Sequence, residues 1–351
     1  MSGLLFFRYL CGMESKEIYF AGGCFWGVEH YFKGVDGVVE ATPGYANGHI
    51  ENPTYQQVYT DTTGFAETVR VRYRPDRVSL EMLVRLFFAS IDPLSVNQQG
   101  HDVGTRYRTG VYYTDPLERP LLESLFAEVA NTVLPSADSP VISSEVEKSV
   151  IVMPDLIGHL ATELLPLNNF YPAEDYHQDY LDKNPSGYCH LPLKAFRYLR
   201  LYQDLRLLLG DEPDPIARMA NTAAMIYERM KFFWVGFYRV VGEELVLGPF
   251  QGPAACFRIK YGKGVCGTAW QRGETVVVPD VEAFPGHIAC SALSKSEIVV
   301  PVISSADSPV ISSEVEKSVT AVLDIDSTEL ETFDRFDAAF LELIVNCLNQ
   351  S

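Results

Sequence analysis

The stretch that decides the fold is Glu17–Gly27, EIYFAGGCFWG. Glu17–Ala21 reads as an apolar strand, Gly22-Gly23 breaks it, and a helical stretch follows from Cys24 to Lys33. A cysteine therefore sits where a strand ends and a helix begins. Backbone N–H groups and the helix dipole at such a point favour thiolate, the nucleophilic form. The two glycines permit close approach of a substrate, and Phe25 and Trp26 offer an apolar wall for a small methyl group. Taken alone, the hexamer GGCFWG fits a buried cysteine in an aromatic core about as well. The surrounding sequence has to decide.

Outward from that stretch, the first half reads as α+β. Val69–Tyr73 alternates as a strand, Leu80–Ala89 has helical spacing, and Gly110–Thr114 is a further strand. Asp115-Pro116 then starts a helix in the N-cap, N1 arrangement, and Asp214-Pro215 opens the second half in the same way. Ile216, Ala220, Ala223 and Tyr227 mark one helical face. Strands are expected at Phe232–Val240, Leu245–Leu247, Thr275–Val278, Glu297–Val302 and Thr320–Asp326, and Phe333–Leu348 closes the chain as an amphipathic helix. The boundary between the halves is expected near Phe196–Asp204, after the Asn-Pro-Ser-Gly turn and its tail.

A fifteen-residue string, SADSPVISSEVEKSV, occurs at Ser136–Val150 and again, unchanged, at Ser305–Val319. A structural repeat would show a sustained period and diverged copies. Two identical copies in unrelated surroundings read instead as one element inserted twice, into solvated loops and without chemistry of its own.

Composition narrows the class. The chain has 351 residues, enough for two domains, and its 47% hydrophobic and 21% charged content is that of a soluble globular protein. A net charge of −18 argues against nucleic acid or an anionic membrane as partner. There is no apolar run long enough to span a bilayer, and the opening MSGLLFFRYLCG is interrupted by Arg8 and lacks a basic start or a cleavage site. A cytoplasmic location is expected. Seven cysteines at 11, 24, 189, 256, 266, 290 and 347 form no CxxC pair and lack the density of a secreted disulfide scaffold. Cys11 matches no motif, and Cys347 falls in an apolar helical pattern that suits a core position.

GGCFWG resembles the signature of the A-type peptide methionine sulfoxide reductases. Gly44–Gly48 (GYANG), Asn52–Tyr55 (NPTY), Ala66-Glu67, Asp102–Tyr107, Tyr171–Leu181 (YPAEDYHQDYL) and Asn184–Cys189 (NPSGYC) follow in that family's order. The resemblance implies that Cys24 attacks the sulfoxide sulfur and that Glu67, its carboxyl pKa raised by burial, protonates the departing oxygen. It implies that Tyr55, Asp102 and Tyr107 polarise that oxygen or position water, and that Phe25 and Trp26 hold the methyl group. Cys24 would be left as sulfenic acid, and Cys189 would close a disulfide with it for a thioredoxin-like donor to reduce. Phe65 and His101 stand where many relatives carry His and Asn, which leaves substrate preference open. His177 reads as a packing or hydrogen-bonding residue rather than a base.

Residues from about 197 to 350 resemble the small GAF domains that reduce free methionine-(R)-sulfoxide. The strings are Trp234–Tyr238 (WVGFY), Leu247–Cys256 (LGPFQGPAAC), Gly262–Ala269 (GKGVCGTA), Gly286–Cys290 (GHIAC), Ser296–Pro301 (SEIVVP) and Val322–Ser327 (VLDIDS). The resemblance implies Cys290 as nucleophile and Cys256 as resolving thiol, with Cys266 an alternative for either part. Glu297, Asp324 and Asp326 form an acidic set, one to protonate the oxygen and the others to bind the ammonium of a free amino acid. Trp234 and Tyr238 would wall the methyl group.

The expected architecture is α+β throughout. An A-type reductase of the α/β plait (ferredoxin-like) class covers residues 13–196, with an insert at about 136–161. A GAF domain with a central antiparallel sheet covers residues 197–351, with an insert at about 305–319. No metal or organic cofactor is implied; the partners are a thioredoxin-like reductant, oxidised proteins and free methionine sulfoxide. The competing reading keeps the first activity and makes the GAF half a non-catalytic ligand-binding or redox-sensing module.

Overall fold

A computed structural model describes residues 15–133, 160–288, 291–304 and 318–348. The expectations for Cys11, for Cys290, for the first copy of the repeated string and for residues 305–317 of the second lie outside the described residues. The chain divides into two compact units, Met1–Phe196 and Arg197–Ser351. Among the described residues no helix is long and apolar enough to cross a membrane.

The first unit is built on a six-stranded mixed sheet. Its strands are β1 (Lys16–Gly22), β2 (Val38–Ala46), β3 (Ala66–Tyr73), β4 (Thr109–Tyr113), β5 (Glu163–Pro166) and β6 (Phe170–Pro172), in the spatial order β5-β4-β1-β3-β2-β6. Only β4 and β5 run parallel, a pairing that requires a crossover. The helix Arg119–Val133 lies in that connection.

β1 is a near-continuous apolar run because both of its faces are buried. On one face Phe20 stacks between Phe32 and Phe87, at 4.7 and 4.8 Å between ring centroids. These two rings come from the helices α1 (Phe25–Lys33) and α2 (Leu80–Ser90). On the other face Tyr19 and Ala21 join Ala46, Ala66 and Tyr112. The packed strand ends at Gly22, Gly23 takes a left-handed φ of 84°, and the chain turns into α1 with Cys24 at its N-cap. The strand-to-helix junction is therefore anchored in the core.

The second unit is a six-stranded antiparallel sheet. Its strands are β7 (Trp234–Val241), β8 (Glu244–Gln251), β9 (Arg258–Lys260), β10 (Val276–Val278), β11 (Ser296–Ile303) and β12 (Val319–Ser327), in the order β9-β8-β7-β12-β11-β10. Asp214 caps the helix Pro215–Met230 by accepting from the Ile216 and Ala217 N–H groups. The α+β class and the antiparallel second sheet are those expected from the sequence.

Three local readings need correction. The stretch Phe196–Asp204, where the boundary is expected from the sequence, lies inside a helix, Leu193–Leu209, whose buried Tyr198, Leu201, Tyr202 and Leu205 recur at helical spacing. Strand β2 was not expected, because Pro43 and Gly44 are poor strand formers. It pairs with β3 along its length, and the missing side chain at Gly44 lets β6 approach, since a Cβ there would clash with the Tyr171 carbonyl. The second copy of the repeated string is not all loop: its last residue, Val319, opens β12.

Candidate active site

In the first unit the end of β1 places Cys24 beside the edge of β3. Cys24 is buried, and the Phe25 N–H at the first turn of α1 donates to the Glu67 carboxyl at 3.1 Å. Glu67 is 1% exposed, and burial pushes its pKa up to about 8. A carboxyl in that state keeps its proton at neutral pH. The Cys24 thiol departs from the thiolate expected of its N-cap position. Burial raises it well above the ordinary range, Glu67 adds to the rise, and the Trp26 backbone N–H opposes it. At this helix terminus desolvation outweighs the dipole.

The other expected residues of this unit gather around the pair. Tyr55 heads a short helix capped by Thr54 in a reciprocal capping box. Burial raises the Tyr55 phenol, with Glu67, Tyr107 and Cys24 contributing, and burial carries Tyr107 up to about 12. Both stay protonated and can donate to an oxygen. Asp102 accepts from the Tyr188 hydroxyl at 3.0 Å, while burial raises its own carboxyl. Cys189 is partly exposed and free, and its thiol too is raised by burial. The Trp26 ring stacks on Tyr180 at 3.7 Å and donates through Nε1 to His177 Nδ1 at 3.1 Å. His177 is thereby a hydrogen-bonding residue that fixes Trp26.

Three supporting residues escaped the sequence reading. Glu174 accepts from the Tyr45 hydroxyl at 2.6 Å and from the Tyr55 N–H at 2.8 Å. Arg106 pairs with Asp61 at 2.6 Å and lays its guanidinium over the Tyr59 and Tyr107 rings at 4.2 and 4.3 Å. His190 donates through Nε2 to the Gly22 carbonyl at 2.8 Å. All three lie inside or next to the quoted strings, but a string carries no information about which member reaches the site.

In the second unit one concavity is lined by Trp234, Tyr238, Cys266, His287, Glu297, Asp324 and Asp326. The register explains the acidic set: Glu297 on β11 faces Asp326 on β12, and Asp324 follows two residues along the same face. Burial raises all three carboxyls, Asp326 to about 6, and each of Glu297 and Asp324 is also raised by its acidic neighbours. Asp324 Oδ1 accepts no hydrogen bond among the described residues. A cation placed among them would relieve their mutual repulsion.

Cys266 Sγ lies 4.0 Å from Glu297 Oε1, and burial with the two flanking carboxylates drives its thiol far up. Ligand atoms of Cys266, Glu297 and Asp324 fall within 4.8 Å of one another, so the same trio could hold a small metal ion. Trp234 Nε1 donates to the Pro253 carbonyl and the Tyr238 hydroxyl to the Cys256 carbonyl, which fixes both rings against the opening. Cys256 is disulfide-bonded, whereas Cys24, Cys189, Cys266 and Cys347 are free.

Residues 16–204 match the family model for peptide methionine sulfoxide reductase, and residues 214–351 match that for the GAF domain. The chain is 47% identical over 183 residues to the peptide methionine sulfoxide reductase of Clostridium acetobutylicum, an alignment covering 52% of this chain and 98% of that one. Among solved structures it resembles the free methionine-R-sulfoxide reductase of Neisseria meningitidis, at 47% identity and a TM-score of 0.39, over 43% of this chain and 86% of that one. It also resembles Mxr1 of Saccharomyces cerevisiae, at 34% identity and a TM-score of 0.42, over 51% and 92% of the two chains.

Proposed function

Because the chain belongs to the peptide methionine sulfoxide reductase family, we propose that its first unit reduces the S epimer of methionine sulfoxide, free or in peptides, and its second the free R epimer. The observation that carries the reading is the buried Glu67 carboxyl, protonated up to about pH 8 and bound to the N–H that follows Cys24. Oxide is a very poor leaving group, so reduction needs an acid at the oxygen and a sulfur nucleophile on the far side of the S–O bond.

Glu67 gives its proton to the sulfoxide oxygen, with Tyr55 and Tyr107 donating hydrogen bonds to it. Asp102 positions water beside them. Cys24 Sγ attacks the sulfur as its thiol proton passes to the Glu67 carboxylate, the bond from oxygen to the methionine sulfur breaks, methionine leaves with two more electrons, and Cys24 keeps the oxygen as the sulfenic acid. Phe25 and Trp26 hold the methyl group. Cys189 then attacks Cys24, the S–O bond of the sulfenic acid breaks, water departs and a disulfide remains. A thioredoxin-like dithiol returns both thiols.

In the second unit Cys290 is the nucleophile and Cys256 its disulfide partner. Glu297, Asp324 and Asp326 supply one proton to the oxygen and negative charge to the substrate ammonium. An ammonium exists only on unblocked methionine, which rationalises a free substrate. Cys266 stays protonated, since its thiolate would sit against two carboxylates. Trp234 and Tyr238 wall the methyl group.

Chiral analysis of racemic free methionine sulfoxide, incubated with the full chain and a thioredoxin-like reductant, tests the proposal. Both epimers should be consumed. On a racemic methionine sulfoxide peptide the reaction should stop near half conversion. Survival of free R sulfoxide would make the second unit a binding module instead.

A further inference from the structure

The geometry points to His190 as the base that takes the proton of Cys189 when the disulfide closes, a role that rests on the Cys24–Cys189 chemistry proposed above. A carbonyl oxygen can only accept, so the 2.8 Å contact to Gly22 fixes the tautomer: Nε2 carries the hydrogen and Nδ1 the lone pair. Nδ1 is buried and accepts no hydrogen bond among the described residues. A buried lone pair left without a donor is uncommon and calls for an explanation.

The backbone of α1 shows what lies beside it. A Cβ built on Gly27 would stand 3.1 Å from Cys189 Sγ and 3.1 Å from His190 Nδ1. The thiol and Nδ1 therefore both pack against Gly27, one turn from Cys24, in a gap tighter than a Cβ normally accepts. Glycine at 27 leaves room for the two side chains to lie against the helix together. Around the ring lie the backbone of Gly22, Gly23 and Gly27, the Gln99 side chain and the chain at Gly100. The titratable groups around the two thiols are Glu67, Asp102, Tyr55, Tyr107 and Tyr188.

The need for a base follows from Cys189 itself. Burial and the nearby Asp102 raise its thiol, so little thiolate exists at neutral pH. The imidazole, held down to about 4 by burial, is neutral and able to accept throughout the physiological range. It is a weak base at rest, but an imidazolium formed beside a nascent thiolate is stabilised by that charge. As Cys189 Sγ bonds to Cys24 Sγ, the Cys189 proton passes to Nδ1. The S–O bond of the sulfenic acid breaks, and the departing hydroxide takes that proton from Nδ1 to leave as water. One sulfur is oxidised by one electron and the other reduced by one, and histidine returns to its starting form.

The test is single-turnover rapid quench of the reduced full chain with a methionine sulfoxide peptide, following methionine release and the Cys24–Cys189 linkage separately. His190→Gln keeps an Nε2 donor for the Gly22 carbonyl and loses the basic nitrogen. It should slow the disulfide step about 100-fold relative to methionine release, with the sulfenic acid trappable meanwhile. The residual rate should rise tenfold per pH unit between about pH 6 and 8, as expected for thiolate alone, while the wild type is nearly flat over that range. Imidazole added to His190→Gly should restore part of the rate. An unchanged ratio of the two steps in His190→Gln overturns the assignment. If that variant does not fold, a tenfold rise per pH unit in the wild type overturns it equally. A wild-type chain that never links Cys24 to Cys189 overturns the underlying reading together with this one.

Discussion

Glu67 and the acidic trio of the second unit are both acids raised by burial, but they differ in what they can give. Glu67 is single and hydrogen-bonded to the Phe25 N–H, whereas Glu297, Asp324 and Asp326 repel one another. A raised carboxyl binds more protons in the folded than in the unfolded state, so it disfavours folding increasingly as pH climbs from about 4 towards 8. Glu67→Gln keeps a carbonyl acceptor for Phe25 and removes the titration. It should raise the melting temperature at pH 7 by a few degrees and lower S-epimer reduction about 100- to 10,000-fold. Wild-type S reduction should be flat up to about pH 8 and fall above it, as the acid deprotonates. A profile falling from pH 5 would deny Glu67 the proton. Asp324→Asn should raise KM for free R sulfoxide more than it lowers kcat, because it removes charge that binds the ammonium; a loss in kcat alone would make Asp324 the proton donor.

At the scale of elements, the end of β11 and the start of β12 are already joined where the repeated string enters. The Ser304 N–H donates to the Ser318 carbonyl at 3.0 Å, and the two hydroxyls lie 2.9 Å apart. Residues 305–317 can therefore be replaced by Asn-Gly, which closes a hairpin at that pair. The replacement should change the melting temperature by no more than a few degrees and leave R reduction intact, as read by thermal melts and chiral product analysis. Loss of folding would show that the string packs. The elements legible in the sequence were those with a clean period: β1 as an apolar run, α2 and the helix Pro215–Met230 by spacing and caps. β2 and the helix Leu193–Leu209 were not legible. Pro43 and Gly44 break the strand pattern, and the polar turn before Leu193 suggested a boundary rather than a helix.

For the whole molecule, the two sets of redox residues fall in separate compact units. Cys24→Ser should abolish S reduction and leave free R reduction untouched, and Cys290→Ser should do the reverse. The losses should combine additively in the double variant, because the proposed resolving thiols, Cys189 and Cys256, belong to different units. Oxidation by substrate without reductant should link Cys24 to Cys189 and Cys256 to Cys290. Peptide mapping that found Cys24 joined to Cys290 would end the picture of independent units.

The sequence by itself determined the class of the chain, the order of its halves and the residue types its chemistry needs, because local periodicity and motif strings are one-dimensional properties. It also placed Cys24 at a strand-to-helix junction. What it did not determine was protonation. The dipole argument favoured thiolate at Cys24, yet the fold buries that sulfur against Glu67, and desolvation depends on neighbours brought from distant parts of the chain. Only the tertiary structure paired Glu297 with Asp326 across two strands, hung Tyr55 on Glu174, and brought His190 Nδ1 and Cys189 Sγ together against Gly27. Each of these is set by register or packing, and neither is carried by any short string of residues.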